Sequence, residues 1–392
     1  MNHENIDRAI VIGGGIGGLT AALALHRRGV PVTVHERAAS LEPVGAGLTL
    51  APNALRALDR LGVGPRLRAL ATPHPAFGLR RPSGRWLARA GTAAVEHRFG
   101  DPIAAVARAE VIDALGDALP PGTVRTGSPA TLVTPGDEGG RPAVVRTGEG
   151  ETTAGLVVAA DGIRSATRAA LFPHHPGPRY SGFTTWRTVV HTPGRRPSAA
   201  GEVWGRGRLA GVIPLAGDRV YTYGAALAPA GARAADEQAE LLRLYGGWCA
   251  PLPELFRAAE PERILRHDVW ALTDPLPAHH SGRVALLGDA AHAMSPFQGQ
   301  GACQAIEDAV VLAACLARED ALPAYTAARL PRTTRIVSGS HRVGALVALR
   351  GPAAVLARDT ALTLAGLLPA RFLLSGLAPT YDWRPPEVCA AP

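Results

Sequence analysis

The sequence predicts an α/β fold, in which a doubly wound parallel sheet is interrupted by an antiparallel sheet and followed by a helical C-terminus. Three short apolar runs, Ala9–Ile12, Gly155–Ala160 and Arg283–Leu287, each end at a glycine-containing turn and precede a helical pattern, as buried parallel strands do. Between Ala160 and Arg283, strand-like segments of alternating bulky residues are separated by glycine and proline turns. With 392 residues, the chain also exceeds the ~250–300 residues of a single hydrophobic core, so more than one domain is expected.

The first run and its turn carry a nucleotide-binding pattern. Ala9–Ile12 predicts a strand, and a helix is predicted from Leu19 onwards. In the GxGxxG spacing between them, Gly13 permits the tight turn, Gly15 admits a pyrophosphate and Gly18 lets helix and strand pack closely. The phosphates would meet free N–H groups at the positive end of the helix dipole. An ordinary glycine-rich loop is the alternative, but the flanking strand and helix favour dinucleotide binding.

The second strand supplies the acidic residue that this pattern requires. Val32–His35 ends at Glu36, close to the expected ~20 residues after the glycines, where a carboxylate accepts both ribose hydroxyls of an adenosine. We also count the adjacent Arg37 among the cofactor-binding residues. NAD and FAD share the adenosine and the pyrophosphate, so this motif does not distinguish them.

Two later strands end in acidic turns. Gly155–Ala160 runs into Asp161-Gly162, and Arg283–Leu287 runs into Gly288-Asp289, ahead of a predicted helix over 302–316. The glycine turn, the Asp-Gly segment and the Gly-Asp segment, in this order and at these separations, resemble those of the FAD-dependent class A flavoprotein monooxygenases, the p-hydroxybenzoate hydroxylase-like family.

This resemblance covers essentially the whole chain and implies FAD bound in a Rossmann-like domain. It implies that Asp289 holds the ribityl chain and that Arg108, ahead of an amphipathic helix, reaches the pyrophosphate. A helix N-cap for Asp289 and a surface salt bridge for Arg108 are the alternatives. The cofactor-binding residues it implies are Gly13, Gly15, Gly18, Glu36, Arg37, Gly47, Arg108, Asp161, Gly288, Asp289, Gly299, Gly301 and Ala302.

The helix after Gly299 and Gly301 also has a physical role in this interpretation. Its bare N–H groups and dipole would stabilise negative charge on a reduced flavin by roughly 0.3 to 2 kcal/mol. Pro296 would form a wall of the oxygen site. The glycine-rich segment Val44–Leu50, which contains Gly47, would run along the isoalloxazine, with a simple turn as the alternative.

The predicted antiparallel strands, over 180–191, 201–214 and 219–227, concentrate aromatic residues. We assign Trp186, Tyr221 and Tyr223 to the substrate site, which would then suit an apolar aromatic or polyene molecule. A buried sheet core would contain the same residues. Arg187 would orient a polar substrate group, with a solvent-facing arginine as an equal alternative.

Composition excludes several function classes. All 41 basic residues are arginine, which excludes Schiff-base lysine chemistry and the Walker A lysine. The +8 charge comes from scattered arginines, so no nucleic-acid partner is expected. Four dispersed cysteines predict reduced thiols, and no metal site is expected. The sequence begins with no signal-peptide pattern and contains no uninterrupted apolar span, so we expect a cytoplasmic protein with no stable membrane insertion. The apolar segment 360–378 is broken by Pro369 and Arg371, which suits a packed or interfacial helical end.

The expected reaction is hydroxylation or epoxidation of an aromatic or polyketide-like molecule with NAD(P)H and O2. The resemblance implies a flavin C4a-hydroperoxide as the oxygen donor. Only one dinucleotide fingerprint is present, so NAD(P)H would visit a cleft near the flavin. A flavoprotein reductase of isoprenoid double bonds and a non-oxygenating flavin-bound protein that holds a pathway intermediate stay open as alternatives.

The domain boundaries follow from the same segments. We predict an FAD-binding domain over 1–72, 102–178 and 281–340, a substrate-binding domain over 73–101 and 179–280, and a helical region over 341–392. The sequence does not predict the oligomeric state.

Overall fold

The computed structural model describes residues 6–41, 46–72, 76–137, 139–194, 197 and 200–386. A six-stranded sheet has the order β17 (His280–Ser281), β18 (Val284–Leu286), β11 (Leu156–Ala159), β1 (Ala9–Ile12), β2 (Val32–His35) and β7 (Val124–Arg125). All its neighbours are parallel except β17, which pairs antiparallel with β18 at the edge. The four predicted strands of this sheet are therefore confirmed, with small shifts at the ends of β11 and β18.

The second large sheet has seven strands. Its order is β16 (Leu265–Ala271), β12 (Arg179–His191), β15 (Arg219–Leu227), β14 (Arg208–Leu215), β13 (Ala200–Trp204), β4 (Ala76–Arg80) and β5 (Trp86–Gly91). Neighbours are antiparallel apart from β13 and β4. The predicted α/β class with an inserted antiparallel sheet is thus confirmed.

One predicted strand is wrong. The segment 201–214 forms a hairpin, because the chain reverses between β13 and β14 at Gly205–Gly207. Gly207 has a φ of +66°, a left-handed conformation that glycine adopts without a steric penalty. The predicted single strand is therefore two neighbouring antiparallel strands, β13 and β14, and both contribute side chains to the two faces of the sheet.

Two small sheets complete the strands. One contains β10 (Gly150–Ala154), β9 (Ala143–Thr147) and β8 (Thr131–Thr134), and the other pairs β3 (Gly47–Leu50) with β6 (Ala104–Ala107). The helices are α1 (Ile16–Arg27), α2 (Pro52–Arg60), α3 (Gly64–Leu70), α4 (Thr92–Phe99), α5 (Arg108–Gly116), α6 (Ala166–Leu171), α7 (Glu237–Tyr245), α8 (Leu252–Ala258), α9 (Asp289–His292), α10 (Gly301–Cys315), α11 (Ala321–Val347), α12 (Pro352–Gly366), α13 (Ala370–Ser375) and α14 (Ala378–Tyr381).

The main hydrophobic core lies between the parallel sheet and its helices. The apolar side chains of α1, α2, α5 and α10 are almost completely buried there. The segment 360–378 begins in α12, turns at Pro369 and continues into α13. Within the described residues, no helix has both the length and the apolar content needed to cross a bilayer.

Candidate active site

A cavity of about 390 Å³ lies between the carboxyl ends of the parallel strands and one face of the seven-stranded sheet. Its walls include many of the residues that the sequence singled out: Gly15, Gly47, Arg108, Arg187, Tyr221, Tyr223, Gly288, Asp289, Pro296, Gly299, Gly301 and Ala302. The other predicted residues lie outside these walls: Gly13, Gly18, Glu36, Arg37, Asp161 and Trp186. A cavity of this size and position is typical of a ligand site in an open α/β sheet.

The glycine turn is closely packed and is held by Glu36. Gly13 has a φ of +106°, and a side chain on Gly18 would overlap the Gly13 carbonyl. The Glu36 carboxylate accepts hydrogen bonds from the Gly14 N–H, at 2.6 Å, and from the Ala38 N–H, at 2.8 Å. Glu36 therefore fixes the conformation of the turn in addition to marking the end of β2.

Two helices present free N–H groups to the cavity. The N-cap residues of α1 and α10 are Gly15 and Gln300; neither provides a side-chain cap, and neither helix has an acidic residue in its first turn. A Cβ on Gly15 would come near only Arg108 Nη2, at 4.0 Å, and a Cβ on Gly301 would meet open space. These glycines leave room for a ligand to reach both N-termini, and such N-termini bind anions. The arrangement fits the pyrophosphate and ring of an FAD.

Asp289 presents its carboxylate to the same cavity. The N-cap of α9 is Gly288, with a φ of +60°, so the N-cap alternative for Asp289 is wrong. The side chain is accessible from the cavity, yet burial among protein atoms raises its pKa, while the nearby His292, Arg108 and Arg168 act in the opposite direction. Asp289 is thus an acceptor held at the end of β18 and available to a ligand.

Arg168 connects the two acidic turns. It is buried and donates hydrogen bonds to the carbonyls of Ile163, at 2.7 Å, and Ala290, at 3.1 Å. Asp161 Oδ2 accepts a hydrogen bond from the Thr167 N–H, while its buried Oδ1 has no hydrogen-bond partner among the described residues. Gly162 of the Asp-Gly segment therefore lines the cavity, whereas Asp161 lies behind it and is held against α6.

Arg108 and Arg187 bring positive charge into the cavity. Arg108 is the first residue of α5, where the sequence placed it just ahead of the helix. Burial lowers the pKa of Arg108, the charge of Arg187 lowers it further, and Asp289 partly compensates. Two guanidinium groups in one cavity favour the binding of an anionic ligand.

Gly47 brings the glycine-rich strand β3 against the substrate sheet. A Cβ on Gly47 would lie 2.6 Å from Tyr221 Cγ, so only glycine permits this approach. Burial raises the pKa of Tyr221 to about 12, and its phenol is therefore neutral at physiological pH. The preceding Val44 and Gly45, also predicted to contact the flavin, lie outside the described residues.

A polar row crosses the sheet beneath the cavity. Strand pairing aligns Arg187 with Tyr223, Tyr223 with Gly211, and Gly211 with Glu202. A side chain on Gly211 would overlap the Tyr223 ring, so this glycine lets the ring lie across β14. The Tyr223 hydroxyl donates a hydrogen bond of 2.6 Å to Glu202 Oε1. The row thus has a cation at one end and a carboxyl group at the other.

Sequence reasoning missed Glu202. Its second oxygen accepts a 2.8 Å hydrogen bond from Trp204 Nε1, and the side chain lines the cavity. Burial raises the pKa of Glu202, whereas the hydrogen bonds from Tyr223 and Trp204 lower it. An acidic residue within a strand of otherwise apolar residues was the available signal, but its face depends on the hairpin that the sequence did not predict.

Trp186 is corrected from a substrate contact to a core residue. Side chains alternate along a strand, so Trp186 faces away from the cavity that its neighbour Arg187 lines. It packs in a cluster with Trp248 and Tyr245, and its Nε1 donates a 2.6 Å hydrogen bond to Glu237. Trp186 therefore stabilises the packing of the sheet against α7 and α8.

The Arg187 guanidinium is only partly satisfied by protein groups. Its Nη2 lies 3.2 Å from Nδ1 of His267, whose pKa is lowered by burial and by the charge of Arg187. The buried Nε of Arg187 has no hydrogen-bond partner among the described residues. The adjacent Asp268 accepts hydrogen bonds from the Thr184 hydroxyl and the Gly231 N–H and forms an ion pair with Arg266.

A buried ionic network supports the Gly-Asp segment from behind. Asp308 accepts hydrogen bonds from the Gly288 N–H, at 2.9 Å, and from Arg329 Nε, at 2.6 Å, and lies 2.6 Å from His292 Nε2. Arg329 also donates to Glu307 Oε2, at 2.5 Å. The network links α11, α10 and the turn that holds Asp289. Two adjacent acidic residues in an otherwise apolar helix were its sequence signal.

The chain matches a known protein family and has well-covered relatives of similar sequence. The sequence profile of the family described as FAD binding domain matches residues 7–340. The chain is 38% identical over 342 residues to an aurachin C monooxygenase/isomerase of Stigmatella aurantiaca, covering 86% of this chain and 88% of the relative. It is also 38% identical to the 3-amino-4-hydroxybenzoate 2-monooxygenase PtmB3 of Streptomyces platensis, covering 88% and 90% of the two chains.

A solved structure shares the architecture. The crystal structure of Klebsiella pneumoniae HpxO complexed with FAD and uric acid superposes with a TM-score of 0.86 at 28% identity, covering 95% of this chain and 96% of that one. The overall fold of this chain is therefore that of a protein solved with FAD.

Proposed function

The chain belongs to the FAD binding domain family of flavin-dependent monooxygenases, and we propose that its cavity holds an aromatic substrate between the flavin and the row Arg187–Tyr223–Glu202. The protein is an FAD-dependent monooxygenase that uses NAD(P)H and O2 to hydroxylate a small aromatic or polyketide-like molecule. When bound, FAD takes a hydride from NAD(P)H and activates O2, so that one oxygen atom enters the substrate and the other leaves as water.

We assign cofactor binding to the residues at the strand ends. The N-terminus of α1 at Gly15 would receive the pyrophosphate, together with Arg108. Asp289 would accept hydrogen bonds from the ribityl hydroxyls, and Glu36 from the adenosine ribose. The N-terminus of α10 would stabilise negative charge on the ring by about 0.3–2 kcal/mol.

The positions of the other predicted residues suggest supporting roles. Gly47, Gly299 and Pro296 would bound the ring, since they line the cavity between β3 and α10. Gly13, Gly18 and Asp161 would shape the turns without touching the ring. The proposed domain division follows the sheets, with the parallel sheet in the FAD-binding domain and β4, β5 and β12–β16 in the substrate-binding domain.

The polar row carries the proposal for substrate orientation. Arg187 and Glu202 lie three strands apart in the sheet, a distance of about 14 Å between backbones. Arg187 lines the cavity, so its guanidinium can donate to an anionic or carbonyl group there. Glu202 lines it as well and has lone pairs for a hydroxyl or amino group. Tyr221, Leu209 and Ile213 supply the apolar surface around the row. A planar ring substituted with both kinds of group would fit.

One relative is named for a substrate of this kind. Its substrate, 3-amino-4-hydroxybenzoate, combines amino and hydroxyl groups with a carboxylate on a single ring. We infer the same combination of donor and acceptor groups for the substrate of this chain, in the part of the cavity that the flavin leaves free.

The Arg187→Leu variant tests this orientation. We expect substrate affinity to fall by about ten- to a hundredfold, the effect of losing a charge-assisted hydrogen bond of about 1.5–3 kcal/mol. We also expect a larger share of NAD(P)H oxidation to yield hydrogen peroxide, because a misplaced ring does not accept the oxygen. A screen of substituted aromatic acids for stimulated NAD(P)H oxidation identifies the ligand. Titration of the flavin absorbance then measures its affinity.

Arg179→Leu is the matched control, since Arg179 lies on the same strand but is exposed and paired with Asp274. Glu202→Gln keeps the shape of the side chain and should weaken only ligands that carry a hydroxyl or amino donor. Equal affinity and coupling in Arg187→Leu and Arg179→Leu would show that the aromatic residues alone orient the substrate.

A further inference from the structure

Helix α12 turns an apolar face outward. Its exposed residues recur at spacings of three and four, so they form one continuous stripe: Ala353, Leu356, Ala357, Thr360, Ala361 and Leu364. Leu356 is 63% exposed and Leu364 61% exposed. The stripe continues past the helix at Leu367, which is 77% exposed, and Leu368. Thr360 is the single polar residue of this stripe.

The inner face of the same helix carries its charges. Arg358 and Asp359 are both buried and paired with each other at 2.7 Å. Arg358 also donates to the carbonyls of Gly205 and Leu346, and Asp359 pairs with Arg81. A helix in contact with water on its outer side has the opposite polarity, with apolar residues inside and charges outside. The outer face of α12 is therefore suited to an apolar environment.

The elements before and after α12 in the chain carry further exposed apolar residues and arginines. On α11, Leu346 is exposed one turn after the exposed Arg342. On α13, the exposed Phe372 lies against the guanidinium of Arg371. Arg350 is exposed in the turn between α11 and α12. We call this set of exposed leucines, Phe372 and arginines the C-terminal face.

The charge of this region is one-sided. In residues 321–381 the exposed arginines are Arg335, Arg342, Arg350 and Arg371, and the one acidic residue, Asp359, is buried. The other three arginines are held in ion pairs with Glu307, Asp308 or Asp359. A two-fold symmetric contact between two copies of the C-terminal face would bring arginines together without carboxylates between them. A bilayer that contains anionic lipids supplies both an apolar interior and negative charge at its surface.

From these observations we propose that the C-terminal face is a peripheral binding surface for anionic membranes. The leucines of α12 and Phe372 insert into the interface between headgroups and acyl chains. Arg342, Arg350 and Arg371 contact the lipid phosphates, as arginine forks do in bidentate pairs. The helix lies in the plane of the interface and does not cross the bilayer.

Co-flotation with extruded vesicles tests the proposal on the FAD-loaded full-length chain. The vesicles contain phosphatidylcholine with or without phosphatidylglycerol. We expect binding to the anionic vesicles that weakens with added salt. The triple variant Leu364→Ser/Leu367→Ser/Phe372→Ser should bind at least about tenfold more weakly with unchanged FAD content and far-UV circular dichroism.

Val133→Ser removes an exposed apolar residue on β8, away from the C-terminal face, and should leave vesicle binding unchanged. Failure of the wild-type chain to float with anionic vesicles would overturn the proposal, as would equal binding by the triple variant. A wild-type dimer that the triple variant converts to a monomer, without vesicle binding, would assign the surface to a second copy of the chain and would also overturn it.

Discussion

The Arg329→Met variant is expected to lose about 3–5 kcal/mol of its free energy of unfolding. Arg329 is completely buried and bonds to Glu307 and Asp308, which are buried as well. Methionine fills a similar volume but leaves two carboxylates without their main counter-charge. Arg332 and His292 remain near these carboxylates and compensate only partly.

The loss of unfolding free energy in Arg329→Met should become smaller as the pH falls. Burial alone would raise the pKa of Asp308 and of Glu307, but the charges around them, Arg329 among them, hold both pKa values below their ordinary range. Depressed carboxyl pKa values stabilise the fold above the ordinary pKa of about 4 and lose that effect as the pH falls. In Arg329→Met the carboxylates become protonated more easily, so the difference from wild type should shrink as the pH approaches about 4.

Urea denaturation followed by tryptophan fluorescence measures this difference. Arg335→Met is the matched control because Arg335 lies on the same helix and is exposed. We expect Arg335→Met to change the unfolding free energy by less than about 0.5 kcal/mol. If both variants had the same small effect at neutral pH, the network would not be the support of the Gly-Asp segment that its geometry indicates.

The second large effect is expected for Asp289→Ala. This substitution should weaken FAD binding by about ten- to a hundredfold, since a charge-assisted hydrogen bond contributes about 1.5–3 kcal/mol. Asp289 is held in place by Gly288 and by the backbone contacts of Arg168, so its carboxylate is positioned before a ligand arrives. Reconstitution of the apoprotein, followed by flavin fluorescence, gives the dissociation constant.

Asp320→Ala is the control for Asp289→Ala, because Asp320 is an exposed carboxylate paired with Arg318. Asp289→Asn keeps one acceptor oxygen and should bind FAD with intermediate affinity. Retention of the full complement of FAD by Asp289→Ala through gel filtration would remove Asp289 from the cofactor site.

The parallel sheet and its turns could be predicted from sequence because their signals are local. Ala9–Ile12 and Val32–His35 are short apolar runs next to glycine and acidic residues, and they form strands with the predicted bounds. The residues that predict each unit of strand, turn and helix lie within about 30 residues of one another. The strand end at Gly288-Asp289 could be located for the same reason, whereas the proposed role of Asp289 towards the ribityl chain came from the family resemblance.

The substrate side of the cavity depends on pairing between distant strands. The turn at Gly205–Gly207 decides that Glu202 lies beside Gly211, and strand order decides that Tyr223 reaches across it. A shift of one residue would exchange Trp186 with Arg187 at the cavity. Alternation along β12 is evident in the sequence, but which face meets the cavity is set by packing against α7 and α8.

The sequence pattern also did not predict that α12 has its charged residues on the buried side and its apolar residues on the exposed side. The apolar stretch 360–378 was visible, and its interruption by Pro369 and Arg371 argued against a span. The buried pair of Arg358 and Asp359 shows which side of the helix faces the protein. That pair could not be placed without Gly205 and Arg81, which come from distant parts of the chain.

We expect this cavity to transfer one atom of O2 to an aromatic substrate, with NAD(P)H as the reductant. The most direct measurement supplies isotopically labelled O2 together with the aromatic ligand from the screen, and follows O2 uptake, NAD(P)H oxidation and product mass. We predict equal consumption of O2 and NAD(P)H and a product that carries one labelled oxygen atom. A reduced product formed without O2 uptake, or ligand binding with no consumption of either cosubstrate, would show that the protein is not a monooxygenase.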